Sequence, residues 1–122
     1  MAKEGISSFE NLTVWQESQD LAVVVYRASE SFPKDEQFGL TSQLRRAVSS
    51  VSANIAEGFG RTATKDKLHF YTIAYGSLLE TKNFLYLSEK LGYIDDNTLN
   101  QLIEQSIKCQ KLINAFKAGL RR

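Results

Sequence analysis

Residues 40–59 read LTSQLRRAVSSVSANIAEGF, and the apolar side chains of this stretch recur every three or four positions. At about 100° per residue, such spacing gathers side chains on one face of a helix. The apolar face consists of Leu40, Leu44, Val48, Val51, Ile55 and Phe59. Gly58 and Gly60 close the stretch, and glycine readily takes the left-handed conformation at a helix end. We therefore predict an amphipathic helix over residues 40–59 with these glycines at its end.

Three further segments have helical spacing and recognisable ends. Thr13-x-x-Gln16 fits a capping box, and Pro33 stops a helix because the residue before a proline avoids the helical conformation. Gly92 ends a long apolar segment, and Asp95 or Asp96 is a suitable cap for the next one. Short links make successive helices antiparallel. We predict one all-α domain over residues 1–122, an up-down-up-down antiparallel four-helix bundle with helices at 13–32, 40–59, 64–91 and 95–117.

The third predicted helix has more apolar residues than one face can hold. A helix that is apolar nearly all round is buried on more than one side. Gly76 lies in its middle, where glycine costs about 1 kcal/mol relative to alanine. A close approach by another helix would offset that cost. Surplus apolar surface of this kind marks interfaces, so we predict a homo-oligomer; the alternative is a monomer whose helices pack unusually deeply.

Composition excludes several classes of protein. Of the 122 residues, 43% are hydrophobic and 24% are charged, as in globular proteins. No uninterrupted apolar run is long enough for a membrane helix, and Met1 to Ser8 lacks a signal-peptide core. We expect a cytoplasmic protein without a membrane partner. The single cysteine (Cys109) rules out an internal disulfide and a multi-cysteine zinc site, and the single histidine (His69) cannot pair with a second one to hold a metal. We expect no enzyme, no catalytic residue, no metal and no cofactor.

Basic side chains suggest contact with phosphate. The formal net charge is only +1, but residues 108–122 carry five basic residues and no acidic one. Clustered cations attract nucleic acid; the alternative is a solvated helix end whose cations complement the helix dipole. The candidate nucleic-acid-binding residues are Arg45, Arg61, Lys65, Lys67, Lys108, Lys111 and Arg122.

The other notable pattern is a polar stripe along the second helix, which consists of Gln43, Arg46, Ser50, Asn54, Glu57 and Arg61. Ion pairs between Arg46 and Glu80, or between Arg61 and Glu57, would fix the register of neighbouring helices. The alternative is that the arginines contact a phosphate or a partner. The candidate structural residues are Gln43, Arg46, Asn54, Glu57, Gly58, Gly60, Gly76 and Glu80.

Several strings carry a resemblance to a known family. They are Asn54-Ile-Ala-Glu-Gly-Phe-Gly-Arg61, Leu12-Thr-Val-Trp-Gln16, Phe38-Gly-Leu40 with Gln43-Leu-Arg-Arg-Ala47, and Phe70-Tyr-Thr-Ile-Ala-Tyr-Gly-Ser-Leu78 with Glu80. Together they resemble the bacterial four helix bundle protein family, which includes the 23S ribosomal RNA intervening-sequence proteins. The chain is also similar to the accessory variability protein of diversity-generating retroelements. The resemblance covers about residues 9–116.

The resemblance implies a four-helix protomer that assembles into a barrel-like homopentamer. It also implies, at the level of the fold, RNA or DNA as a partner, or an enzyme that acts on nucleic acid. It assigns no catalytic residue. Two hypotheses remain open: a non-enzymatic oligomer that binds nucleic acid or a nucleic-acid enzyme through basic surface, and a protein-only scaffold, which the near-neutral total charge favours.

Overall fold

Four α-helices alternate in direction along the chain. The computed structural model describes residues 8–121. The helices are α1 (Thr13–Ala28), α2 (Leu40–Phe59), α3 (Thr64–Lys90) and α4 (Asp96–Leu120). Each helix packs against the next, and α4 packs against α1, so that α1 and α3 occupy opposite corners of a square. The prediction of an all-α chain with four antiparallel helices is confirmed.

Helix α1 is shorter than the predicted range 13–32. It ends at Ala28, and a 3-10 turn follows at Ser29–Ser31. The hydroxyl of Ser29 donates to the carbonyl oxygen of Tyr26 at 3.0 Å, so a side chain satisfies a carbonyl at the helix end. The predicted capping box is wrong: Leu12 occupies the N-cap position and no side chain caps the helix. The Gln16 amide instead donates to the carbonyl oxygen of Glu10 at 2.8 Å.

The link between α3 and α4 follows its sequence signals. Gly92 has φ +79°, which glycine adopts without strain. Its N–H bonds the carbonyl oxygen of Glu89 at 2.9 Å, and the N–H of Tyr93 bonds that of Ser88 at 2.9 Å, which is the Schellman arrangement. Asp95 then caps α4, because its Oδ1 accepts from the N–H of Thr98 at 2.8 Å. Helix α4 continues to Leu120, beyond the predicted end at residue 117.

The apolar faces of all four helices meet in one core. The predicted apolar face of α2 points inward: Leu40, Leu44, Val48, Val51 and Ile55 are buried, and Phe59 packs against them. Each fully buried aliphatic side chain contributes about 1.5–3 kcal/mol of transfer free energy. The largest fully buried side chains include Leu21, Tyr71, Leu78, Leu85, Leu102 and Ile113.

Small polar side chains also lie inside the bundle. Ser18 donates to the carbonyl oxygen of Val14 at 2.7 Å, and Ser106 donates to that of Leu102 at 2.8 Å. Thr81 and Ser88 make the same bond one turn back along α3. Since each hydroxyl is satisfied within its own helix, these residues allow helices to approach without needing a polar partner across the interface.

Candidate nucleic-acid interface

Three of the candidate cations lie in the link between α2 and α3 or in the first turn of α3 that follows it. Lys67 donates to the carbonyl oxygen of Phe59 at 2.7 Å, and so satisfies one of the orphan carbonyls at the end of α2. Arg61 makes an ion pair with Glu57, with Nη2 and Oε2 2.6 Å apart, and its guanidinium lies 4.7 Å from the ring centre of Phe70. The predicted Arg61–Glu57 pair is therefore present. Lys65 is exposed in the first turn of α3.

Arg45 lies at the opposite end of the bundle and joins α2 to α1. Its Nε donates to the hydroxyl of Ser29 at 2.9 Å, and its Nη2 donates to the carbonyl oxygen of Tyr26 at 3.1 Å. Its guanidinium lies 4.7 Å from the ring centre of Tyr26. The helix from Arg45 to Phe59, just before Arg61, spans about 21 Å at 1.5 Å per residue. One protomer therefore does not bring the candidate cations into one patch.

The cations of α4 differ in their contacts. Lys108 makes an ion pair with Glu17 of α1, at 3.2 Å. Lys111 is exposed, and neither Lys111 nor Lys65 has an ion pair or side-chain hydrogen bond to any residue in 8–121. Arg122 lies outside the described residues. Lys65 and Lys111 are thus the candidate cations best placed to contact a phosphate without breaking a bond in the fold.

A polar cluster between α3 and α4 contains two cations, Lys82 and Lys117, that are not among the candidate nucleic-acid-binding residues. The Tyr75 hydroxyl accepts from the Gln110 amide at 3.0 Å, and Lys82 donates to the amide oxygen of Gln110 at 2.9 Å. The Lys117 ammonium lies 5.8 Å from the Tyr75 ring centre. The hydrogen bond from Gln110 is the main cause that lowers the pKa of Tyr75. Helical spacing could not reveal this cluster, because its members come from two helices.

The polar stripe of α2 serves partly to join α2 to α3. The Asn54 amide donates to the carbonyl oxygen of Ser50 at 2.8 Å and to its hydroxyl at 2.9 Å. The hydroxyls of Ser50 and Ser77 lie 3.0 Å apart across the α2–α3 contact. The alternative pair, Arg46 with Glu80, is not formed within the described part of the chain; both side chains are exposed, as is Gln43.

Of the three candidate glycines, Gly60 lies at the end of α2 as predicted, whereas Gly58 and Gly76 differ from the expectation. Gly58 and Gly60 do not adopt the left-handed conformation. Among the described residues, only Gly92 has a positive φ. Gly58 is buried inside α2, where a Cβ atom would lie 2.7 Å from Cε1 of Tyr71. Gly60 caps α2 with φ −76°. Apart from its chain neighbours and the adjacent backbone of α3, no atom of the described residues lies within 4 Å of a Cβ built on Gly76, so the expected close approach does not occur within one protomer.

Groups that could do chemistry are scarce. Among residues 8–121, no three His, Cys, Asp or Glu side chains are grouped to hold a metal ion. His69 is exposed, with its ring edge against Phe70 at 5.4 Å between centres. Cys109 is fully buried, and burial raises the pKa of its thiol from 9.0 to about 11. In that part of the chain no helix is long and apolar enough to cross a membrane.

We expect Cys109 to be unreactive toward a disulfide reagent at about pH 8 in the native protein, since only the exposed thiolate attacks, and to react fully in concentrated guanidinium chloride. The unfolded thiol ionises from about pH 9, whereas the buried one resists to about 11. The thiol therefore favours the unfolded state as the pH rises between these values. Rapid labelling without denaturant would contradict the buried position.

Large apolar side chains remain exposed on the two helices at opposite corners. The outer face of α1 shows Val23 and Val24, which are 44% and 38% exposed. The outer face of α3 shows Ile73, Leu79, Tyr86 and Leu87, each 39–46% exposed. We call these the α1 face and the α3 face. Gly76 lies on the α3 face, with open space above it.

Both the sequence and the fold are similar to those of known proteins. The sequence model of the 23S rRNA-intervening sequence protein family matches residues 10–115. The fold is similar to that of a protein of unknown function from the S23 ribosomal protein family of Bacteroides thetaiotaomicron VPI-5482, in a crystal structure at 1.70 Å resolution. The TM-score is 0.77 at 23% identity, over 86% of this chain and 98% of that one. No curated protein matches the chain.

Proposed function

Since the chain belongs to the 23S rRNA-intervening sequence protein family, we propose that it is a non-enzymatic, self-associating helical protein that binds RNA or DNA through basic side chains repeated around the assembly. The family name connects it with ribosomal RNA genes and not with a reaction. The observation that carries the proposal is the pair of exposed apolar faces on α1 and α3.

The positions of these faces favour a ring. Because α1 and α3 lie at opposite corners of the bundle, the α1 face and the α3 face point in different directions. A contact between the α1 face of one protomer and the α3 face of the next is heterologous, and such contacts close into rings when the rotation permits. Open space at Gly76 would let a neighbouring helix approach the α3 face closely. Five protomers is the number that the family resemblance suggests.

In a ring, the two cations without partners among the described residues, Lys65 and Lys111, would be repeated once in every protomer. One protomer offers only Lys65 and Lys111 as exposed candidate cations that no described residue engages. Repeated around a ring, they would form a larger positive surface. Each phosphate that such a surface neutralises steepens the dependence of the binding constant on salt concentration. Base recognition would be weak, because the fold has no aromatic-bearing sheet of the kind that reads single-stranded RNA.

A protein-only scaffold is the second candidate. It is favoured by the intrachain contacts of Arg45, Arg61, Lys67 and Lys108, which already occupy four of the seven candidate cations. The first experiment separates the two: labelled structured RNA and duplex DNA are titrated with the protein, and fluorescence anisotropy is followed from low to physiological salt.

The double variant Lys65→Gln/Lys111→Gln is expected to flatten the salt dependence of RNA binding. For each cation that no longer neutralises a phosphate, the slope of log K against log salt falls by about 0.7 on a single strand and 0.9 on a duplex. The matched control is Lys34→Gln/Lys90→Gln, which removes two exposed lysines at the other end of the bundle. Both variants have the same net charge, so an equal slope in both would remove Lys65 and Lys111 from the site. Absence of binding even at low salt would leave the protein-only scaffold.

A further inference from the structure

A cavity at the start of α2 combines features that recognise a nucleotide. Its volume is about 410 Å³, and Tyr26, Phe38, Thr41, Ser42, Arg45 and Arg46 contribute to its lining. This volume lies within the range of small-molecule sites, about 300–1,000 Å³. We infer that this cavity binds a phosphorylated nucleoside, with the phosphate between the arginines and the start of α2 and the base against Phe38.

The cationic side of the cavity is prepared for a phosphate. Arg45 is held in place by Ser29 and by the Tyr26 carbonyl oxygen, which leaves Nη1 free of hydrogen bonds to the described residues. Arg46 is exposed and has no ion pair with any residue in 8–121. Two guanidinium groups, one fixed and one adjustable, suit the several oxygens of a phosphate, which guanidinium binds in a bidentate manner.

Unsatisfied polar groups lie on the same side. The hydroxyl oxygen of Thr41 is buried and has no hydrogen-bond partner among the described residues. The backbone N–H groups of Thr41 and Ser42 also have no partner there, whereas that of Leu40 bonds Oε1 of Glu36 at 3.1 Å. Such groups at a helix start bind anions. The Glu36 carboxylate is itself engaged, because its other oxygen accepts from the Tyr93 hydroxyl at 2.9 Å.

The apolar side of the cavity is formed by Phe38, whose side chain is unusually exposed. Phe38 is 90% exposed, more than any other large hydrophobic side chain described, and it lies at the cavity rim. A planar base stacked on an aromatic ring gains affinity without regard to its identity. The cavity therefore suits both halves of a nucleotide. Its aromatic ring suits the base, and its arginines and unsatisfied donors suit the phosphate. The inference goes beyond the proposed function, because this cavity lies at the end of the bundle opposite Lys65 and does not require binding of a nucleic-acid polymer.

The test uses the intact protein and isothermal titration calorimetry with four probes. They are adenosine 5′-monophosphate (AMP), adenosine, inorganic phosphate and a short single-stranded oligoadenylate. We expect AMP to bind more tightly than either adenosine or phosphate. Equal affinities for AMP and the oligoadenylate would identify a free nucleotide as the ligand, and a much higher affinity for the oligoadenylate would identify a nucleotide within a strand; both support the inference.

Two variants at exposed positions test the two halves of the site. Arg46→Gln is expected to weaken AMP and phosphate alike by about tenfold, the cost of a charge-assisted contact. Phe38→Ala is expected to weaken AMP by about fivefold or more, the worth of one stacked base, and to leave phosphate binding unchanged. Lys34→Gln and Ile107→Ala are the matched controls, since both side chains are exposed, lie outside the cavity and belong to neither the α1 face nor the α3 face.

Three results would overturn the inference. The first is that neither AMP nor the oligoadenylate binds. The second is that Arg46→Gln changes affinity no more than Lys34→Gln does. The third is that Phe38→Ala leaves AMP affinity unchanged but alters the sedimentation of the protein, because a second copy of the chain would then be the partner of Phe38.

Discussion

Replacement of Tyr71 with alanine is expected to lower the free energy of unfolding by about 3–5 kcal/mol, as for other buried aromatic residues. Tyr71 is 1% exposed and lies where α2, α3 and α4 meet. Its ring packs edge-on against Phe116 of α4, with 5.0 Å between centres, and touches the backbone of α2 at Gly58. Removal of the ring therefore leaves a cavity between three helices, which the rigid backbones cannot close.

Urea unfolding followed by circular dichroism measures this effect. Tyr71→Phe is the control, because it keeps the packed ring and removes only the hydroxyl. We expect the phenylalanine variant to retain most of the stability that the alanine variant loses. Equal losses in the two variants would show that the hydroxyl, rather than the packing of the ring, stabilises the bundle at this point.

Gly58 tests the same contact from the side of α2. Gly58→Ala should destabilise the protein by about 1–3 kcal/mol through overpacking, although alanine is the better helix former by about 1 kcal/mol. The reason is that the added Cβ would lie 2.7 Å from Cε1 of Tyr71 and 3.0 Å from Cβ of Phe70. In the Tyr71→Ala background most of this clash is absent, so the double variant should be more stable than additivity predicts. Strict additivity would contradict the close approach.

A single aspartate on either exposed face is expected to disperse the proposed assembly. Val23→Asp alters the α1 face and Leu79→Asp alters the α3 face, and both side chains are 44–46% exposed in the protomer. An unpaired carboxylate buried at an interface costs several kcal/mol, which corresponds to about a hundredfold or more in the dissociation constant. The protomer itself should stay folded, because neither side chain belongs to its core. Ile107→Asp, on the exposed side of α4, is the matched control.

The two aspartate variants also test how the faces pair. A heterologous contact joins the α1 face of one protomer to the α3 face of the next. An equimolar mixture of Val23→Asp and Leu79→Asp retains one intact combination, so the mixture should form heterodimers, whereas each variant alone stays monomeric. Light scattering distinguishes these masses. A mixture that remains monomeric, or a Leu79→Asp variant that dimerises alone, would contradict heterologous pairing.

Helical periodicity was sufficient to predict the framework of the bundle. The stripe from Leu40 to Ile55 faces the core as its spacing requires, and Asp95 and Gly92 act at the helix ends that their chemistry suits. Periodicity failed where a competing local bond decided the outcome. At the end of α1, the hydroxyl of Ser29 bonds a helix carbonyl and a 3-10 turn replaces the last predicted turn.

Contacts between helices were much harder to predict than the helices themselves. Gly58 resembles a helix terminator in the sequence, but its role depends on Tyr71, which lies on another helix. The candidate cations could be found from charge alone, whereas the partners of Arg45 and Lys108 come from α1 and the turn that follows it. Phe38 lies outside the helices, so helical spacing says nothing about its exposure. Its position beside Arg46 depends on how the chain enters α2.

Sedimentation of the protein with a fluorescently labelled RNA at low salt tests the proposed function most directly, because one measurement reports both self-association and binding. We expect the RNA to sediment with a protein species several times heavier than one chain, and we expect higher salt to release the RNA while the protein assembly persists. A protein that sediments as a single chain, with the RNA migrating freely, would contradict the proposed function.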